Sequence, residues 1–341
     1  MVLALAVVVL LGISLLFNLG HFMRGFGPVK VSRLHATGPR LEEVVTQDND
    51  ASAKIAVVNV DGLITSRVID QGGYSLVDVI KAQLRRAEED DRVKAVILKV
   101  DSPGGEVLAS DEISRAISEF QAKEHGKPVV CSMGSLAASG GYYVSAPCRW
   151  IVANDLTITG SIGVIMSTWN YRGLMDKVGV RPETFKSGKY KDMLSGTREP
   201  DSITQEERDM VQALITETYE KFKGVVEEGR KRAQAKNKDK GRALSDDWAN
   251  YADGRILSGN EAFKLGFVDE LGTFEDAVKR ARSIANIQNA NLIEYQQRYD
   301  ISDLFRLFGQ TESKAVKVDL GLEMPKLQAG HLYFLSPMYL H

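Results

Sequence analysis

Histidine is scarce in this chain and never clustered. The five present, His21, His35, His125, His331 and His341, form neither a metal-ligand spacing nor a Ser-His-Asp pattern, which argues against a zinc protease and a histidine-based hydrolase. Cysteine is scarcer still. Cys131 and Cys148 show no Cys-x-x-Cys pattern and no zinc spacing, and Cys131 sits in an apolar, strand-like run that reads as a buried thiol. Charge of one sign is missing too: 43 basic against 45 acidic side chains give a formal net charge of −2. That excludes a general nucleic-acid binder, and the basic run from Arg230-Lys231-Arg232 to Lys240 reads as a solvated helix face or loop. The globular part has no internal repeat, and no metal or cofactor motif is present.

What the chain does have begins with an uncharged stretch. Met1 to Met23 carries no Asp, Glu, Lys or Arg, and Val2 to Phe17 is almost wholly apolar, enough for one helix across a bilayer. A cleaved signal peptide would show a basic n-region and a small-x-small site, and neither is clear here, so a retained anchor is expected. Arg24, Lys30, Arg33 and Arg40 follow it, which by the positive-inside rule weakly favours a cytoplasmic body. The expected organisation is an anchor over 1–23, an irregular tether over 24–53, a globular domain over 54–290 and an extension over 291–341.

Within the domain, short apolar runs alternate with amphipathic helices. Lys54 to Val60, Val93 to Val100 and Pro128 to Met133 read as buried strands, while Leu76–Ala87 and Ile113–Phe120 carry apolar residues at helical spacing. This is an α/β pattern of βα units, whose strand ends are the usual place for a site. Further strands are expected at Arg149–Ala153, Ser161–Met166 and Thr184–Lys186. A long helix should start near Thr204, which forms a capping box with Glu207. Residues 227–247 are highly charged and expected to be exposed.

Three segments carry candidate chemistry. Ser139, in Ala137-Ala138-Ser139-Gly140-Gly141, sits where a strand would meet a helix. It could be a nucleophile, or only an N-cap among small packing residues, and Ser135 is a rival. Gly104-Gly105 closes the turn Asp101-Ser102-Pro103-Gly104-Gly105, an ordinary turn or a source of oxyanion donors together with the Gly140 amide. Lys186, Lys189 and Lys191 lie in one short stretch, a solvated basic loop unless one of them is kept neutral as a base. That would require lowering a reference pKa of about 10.4 to roughly 7–8 by removal from water.

Taken in order, Asp101–Gly105, Met133–Tyr143, Thr159-Gly160-Ser161-Ile162-Gly163-Val164, Lys186–Asp192, Ala252–Arg255 and Gly266–Gly272 resemble the signal-peptide-peptidase A family over residues 54 to 280. These are membrane-anchored Ser-Lys proteases of the Clp-protease/crotonase fold. The resemblance implies Ser139 as nucleophile, Lys191 as base, Ser161 as the hydroxyl orienting the lysine, and Gly104 or Gly105 with Gly140 as oxyanion donors. It implies no metal or other cofactor. It further implies hydrophobic peptide substrates such as signal-peptide remnants, a single-pass protein of the inner (cytoplasmic) membrane with an extracytoplasmic catalytic domain, and a short form that assembles into a homo-oligomeric ring. The basic residues after the anchor run against that orientation. Two rival readings are a non-catalytic peptide-binding scaffold of the same fold and a crotonase-class acyl-CoA hydratase or isomerase.

Overall fold

The computed structural model describes residues 38–68, 73–238, 240–297 and 332–336. The expected anchor lies outside the described residues, and among them no helix is long and apolar enough to cross a membrane. The body is a mixed α/β fold around a mostly parallel sheet. Its strands are β1 (Leu41–Gln47), β2 (Lys54–Asp61), β3 (Val93–Ser102), β5 (Val129–Ala138), β6 (Trp150–Ala153), β9 (Glu270–Leu271) and β10 (Asn291–Gln297), in the order β1-β10-β2-β3-β5-β6-β9. β7 (Ile158–Gly160) pairs with the far end of β5, and β8 (Ile256–Ser258) pairs with β7. Only β1 and β8 run antiparallel to their neighbours in this sheet.

The central strands are near-continuous apolar runs because helices cover both faces, as parallel sheets require. The period of two divides them cleanly. Ala56, Val58, Val60, Val96, Leu98, Val100 and Cys131 face one core, under α1 (Leu76–Glu89), α2 (Val107–Ala122) and α3 (Gly140–Ser145). Ile55, Val57, Ala95, Ile97 and Val130 face the other core, where α7 (Phe274–Ile284) buries Ala277 and Ala281. The two remaining short helices are α4 (Arg172–Lys177) and α6 (Gly259–Lys264). Both cysteines are free and buried.

The longest helix, α5 (Gln205–Lys236), starts at Thr204 with the expected capping box to Glu207. Its second half packs on the body through Phe222, Val226, Gly229, Arg230 and Ala233, whereas Met210 and Leu214 in the first half are exposed. Arg230 departs from the expectation of an exposed, charged segment, being 1% exposed. Its guanidinium pairs with Asp269 and donates to the carbonyl of Cys148 at 3.1 Å, while the same carboxylate accepts from the Ile151 amide at 2.8 Å. A buried charge is tolerable here because the Asp269 carboxylate and the Cys148 carbonyl engage two of its three guanidinium nitrogens, Nη2 and Nη1, while Nε has no partner among the described residues.

Other boundaries also shift. β1 lies in the stretch read as tether, and β10 in the stretch read as extension. They belong to the sheet because β10 runs parallel beside β2 and β1 covers its outer edge. Ser161–Met166 and Thr184–Lys186 form no strands. The short strand ends at Gly160, and Thr184–Lys186 belongs to an irregular stretch between α4 and α5.

Candidate active site

β5 ends at Ala138, and the next residue turns sharply into α3. Ser139 makes that turn with φ 53° and ψ −115°, a backbone state costing a non-glycine residue on the order of 1–3 kcal/mol. The turn is held by the Ser139 amide, which donates to the Gly160 carbonyl at 2.8 Å, and by the Tyr143 amide, which donates to the Ser139 carbonyl at 2.8 Å. The Ser139 side chain caps nothing. Its hydroxyl is buried and has no hydrogen-bond partner among the described residues. A strained strand-to-helix turn presenting an unspent hydroxyl is the geometry of an acyl-transfer nucleophile. Ser135 is exposed on β5, four residues before the turn.

Opposite this turn stands β4 (Gly104–Glu106). Gly104 has φ +103°, and a Cβ there would lie 2.6 Å from the Gly140 nitrogen. A Cβ on Gly140 would in turn sit 3.0 Å from the Gly105 nitrogen. The two glycine segments therefore meet backbone to backbone, and the amides of Gly105 and Gly140 border the same small space beside Ser139. Ser161, 3% exposed and also at positive φ, follows the carbonyl that holds Ser139. The structure thus gathers Ser139, Ser161, Gly104, Gly105 and Gly140.

It does not bring Lys191 to them. That residue is exposed on the irregular stretch between α4 and α5, in a turn where its amide donates to the Gly188 carbonyl at 3.2 Å. The buried Ser139 hydroxyl has no partner among the described residues, so within one chain the lysine amine and the serine are not in contact. The same stretch exposes large apolar side chains, among them Val178 (65%) and Phe185 (88%).

One component went unrecognised in the sequence. β11 (Tyr333–Leu335) lies antiparallel on β4, pairing Tyr333 with Glu106, Phe334 with Gly105 and Leu335 with Gly104. On its other side Tyr333 exchanges two hydrogen bonds of 3.1 Å with Ile165. The Val107 amide donates to the Leu332 carbonyl (3.4 Å), and the Ser336 amide donates to the Pro103 carbonyl (2.9 Å). Antiparallel alternation then makes Gly105–Phe334 the hydrogen-bonded pair between them. The Phe334 carbonyl oxygen accordingly comes within 2.0 Å of where a Gly104 Cβ would be, facing the glycine amides. Its ring fills an aromatic pocket, stacked on Tyr143 at 4.8 Å and against Phe222 at 4.6 Å. The Tyr143 hydroxyl donates to Asp111 at 2.7 Å, and burial, with that carboxylate beside it, pushes the phenol far above its usual range. The only sequence signal for this strand was the apolar run Leu332–Leu335.

A family profile, "Peptidase family S49", matches residues 121–288. An Enterococcus faecium protein named as signal peptide peptidase SppA is 34% identical over 270 residues, 78% of this chain and 74% of that one. A Synechocystis sp. protein named as a protease is 37% identical over 271 residues, 79% and 88% of the two chains. The chain belongs to peptidase family S49. It is a serine-type peptidase of the signal-peptide-peptidase A family. A Methanocaldococcus jannaschii protein named as a protease is 45% identical over 209 residues, 61% of each chain. Among the described residues no group of His, Cys, Asp or Glu is placed to hold a metal ion.

Proposed function

We propose that this protein is a membrane-anchored endopeptidase of the Clp-protease/crotonase class that cleaves extended apolar peptides, including signal-peptide remnants, by acyl transfer to Ser139. The observation that carries this is the strand 332–336 lying in the cleft as a peptide substrate would. It is paired on both edges, has its aromatic ring in the Tyr143–Phe222 pocket, and directs a carbonyl at the glycine amides.

In the reaction Ser139 Oγ attacks the carbonyl carbon of the residue held where Phe334 lies, while its proton passes to a neutral lysine amine. The amides of Gly105 and Gly140 stabilise the resulting oxyanion, each worth about 3 kcal/mol in the transition state. Collapse breaks the peptide bond, the ammonium protonates the leaving amine, and water then releases the acyl group by the same steps in reverse order of partners. The base is Lys191, supplied by a neighbouring copy of the chain. Support comes from the exposed stretch that carries it, whose large apolar side chains lack cover from their own body, and from the unpartnered Ser139 hydroxyl. Docking that stretch on a neighbour would complete the dyad, dry the amine and place Ser161 to orient it. Repetition of the contact around a closed ring is the natural outcome of such a heterologous interface. The segment 1–23 would hold the ring at the inner membrane, with the catalytic domain on the extracytoplasmic side, near membrane-derived peptides.

Mixing variants tests this reading. Ser139→Ala and Lys191→Ala proteins should each be inactive on an apolar fluorogenic peptide. After dissociation and reassembly together in equal amounts, about a quarter of the sites should unite an intact serine with an intact lysine. Inactivity of the mixture would refute the shared site, and activity in either variant alone would refute the dyad.

A further inference from the structure

Three lysines share the six residues Lys186 to Lys191, and their partners differ sharply. Lys186 Nζ lies 2.7 Å from Asp192 Oδ1 and donates to the Lys189 carbonyl at 3.1 Å. Lys189 Nζ lies 2.7 Å from Glu206 Oε2. For Lys191 no carboxylate partner exists among the described residues. Yet Asp192 is its immediate neighbour in the chain, and a carboxylate close to a lysine amine holds it in the charged form.

Asp192 is directed elsewhere. Its carboxylate is engaged by Lys186 and lies 3.7 Å from Arg198 Nη1. Arg198 donates to Glu207 Oε1 at 2.5 Å and to the Ser202 carbonyl at 2.5 Å. Glu207 closes the capping box at the first turn of α5. Between residues 186 and 198 the charged groups are Lys186, Lys189, Lys191, Asp192 and Arg198, and those facing them from α5 are Glu206 and Glu207. Of these, all but Lys191 are tied into pairs among the described residues. The Asp192, Arg198 and Glu207 side chains are largely covered, at 14%, 17% and 4% exposure, whereas the Lys189–Glu206 pair lies in solvent.

We propose that Lys186 is a positioning residue for the general base. By engaging Asp192, with Arg198 on its other side, it withholds that carboxylate from Lys191 and leaves the base amine able to give up its proton. The inference rests on the reading of Lys191 as the base. It assigns a task to a lysine that the sequence alone could regard only as part of a basic loop.

The test is the pH dependence of kcat/KM for the full-length, assembled protein on an apolar peptide, since this profile reports the free enzyme's essential base. In Lys186→Met the freed Asp192 pairs with Lys191, and the acidic limb should move upward by about one pH unit or more, with activity recovering at high pH. Adding Asp192→Asn to the same chain should return the limb to its wild-type place, and Lys186→Arg should leave it there. A limb unmoved in Lys186→Met would overturn the proposal. So would a limb still displaced in the double variant. A pH-independent loss that arginine restores and Asp192→Asn does not would make Lys186 a structural strut, and overturn it equally. Lys191→Ala is measured alongside: activity surviving that change would mean the dyad reading had failed, a result distinct from any of these.

Discussion

Replacing Phe334 by alanine should make the cleft easier for another peptide to enter. The Phe334 ring is fully buried between Tyr143 and Phe222, and truncating such a side chain costs about 3–5 kcal/mol. The loss falls on the docked strand alone, because the released strand carries its side chain in water. At the lower bound, about 3 kcal/mol, the ratio of docked to released strand drops by roughly 10²-fold. An occupied cleft binds added peptide with an affinity reduced by the fraction that is free. KM should therefore fall by up to that factor, until the strand no longer competes. Phe334 takes no part in the chemistry on added peptide, so kcat should stay unchanged. Initial rates against concentration of a fluorogenic apolar peptide, with Ser139→Ala as the blank, measure both constants. An unchanged KM, or a lower kcat with a higher KM, would show that Phe334 supports the pocket wall and does not compete for the cleft.

Three further outcomes follow from the geometry. Gly104→Ala would set a Cβ 2.0 Å from the Phe334 carbonyl oxygen and 2.6 Å from the Gly140 nitrogen; the displaced glycine amides should cost about 10²–10³-fold in kcat, and a variant of wild-type activity would remove these amides from the mechanism. Arg230→Met strands the Asp269 carboxylate in the core and should destabilise the fold by about 3–5 kcal/mol in chemical denaturation. Adding Asp269→Leu should recover part of that loss, and a single variant as stable as wild type would contradict the assignment of α5's anchor. The Glu207 carboxyl is held down at about 2, chiefly by its hydrogen bond to Arg198. Its folded value lies below the unfolded one, so its contribution is present above about pH 4.5 and lost as pH falls towards 2; faster hydrogen exchange in residues 192–208 over that window, absent in Glu207→Gln, is the expected signature.

Much of this architecture was readable in advance, for reasons that differ by element. β2, β3 and β5 were plain because both of their faces are buried, leaving unbroken apolar runs such as Ile55–Val58. The start of α5 was plain because Thr204 and Glu207 satisfy each other locally. β1 was hidden: Leu41–Gln47 lies at an edge with most residues exposed, so it carries no alternation. β11 was hidden because its partner, β4, lies more than two hundred positions away and pairing across that distance leaves no local pattern. Arg230 was misread because a charge run gives no hint that one member finds a buried carboxylate. For the site, the Ala-Ala-Ser-Gly-Gly segment implied a helix start packed against a strand, and Ser139 does stand between β5 and α3, but its positive φ left no mark in the residue types. Nothing in the spacing of Ser139 and Lys191 could reveal that one chain keeps them apart.

That separation has a consequence for the cell if, as proposed, the base comes from a neighbouring copy. A single copy would then carry a nucleophile without its base, and would behave as a zymogen whose activator is a second molecule of itself. Newly made chains would stay harmless without a cleavage step. Turnover per copy would climb with local density, and dilution alone would switch the enzyme off.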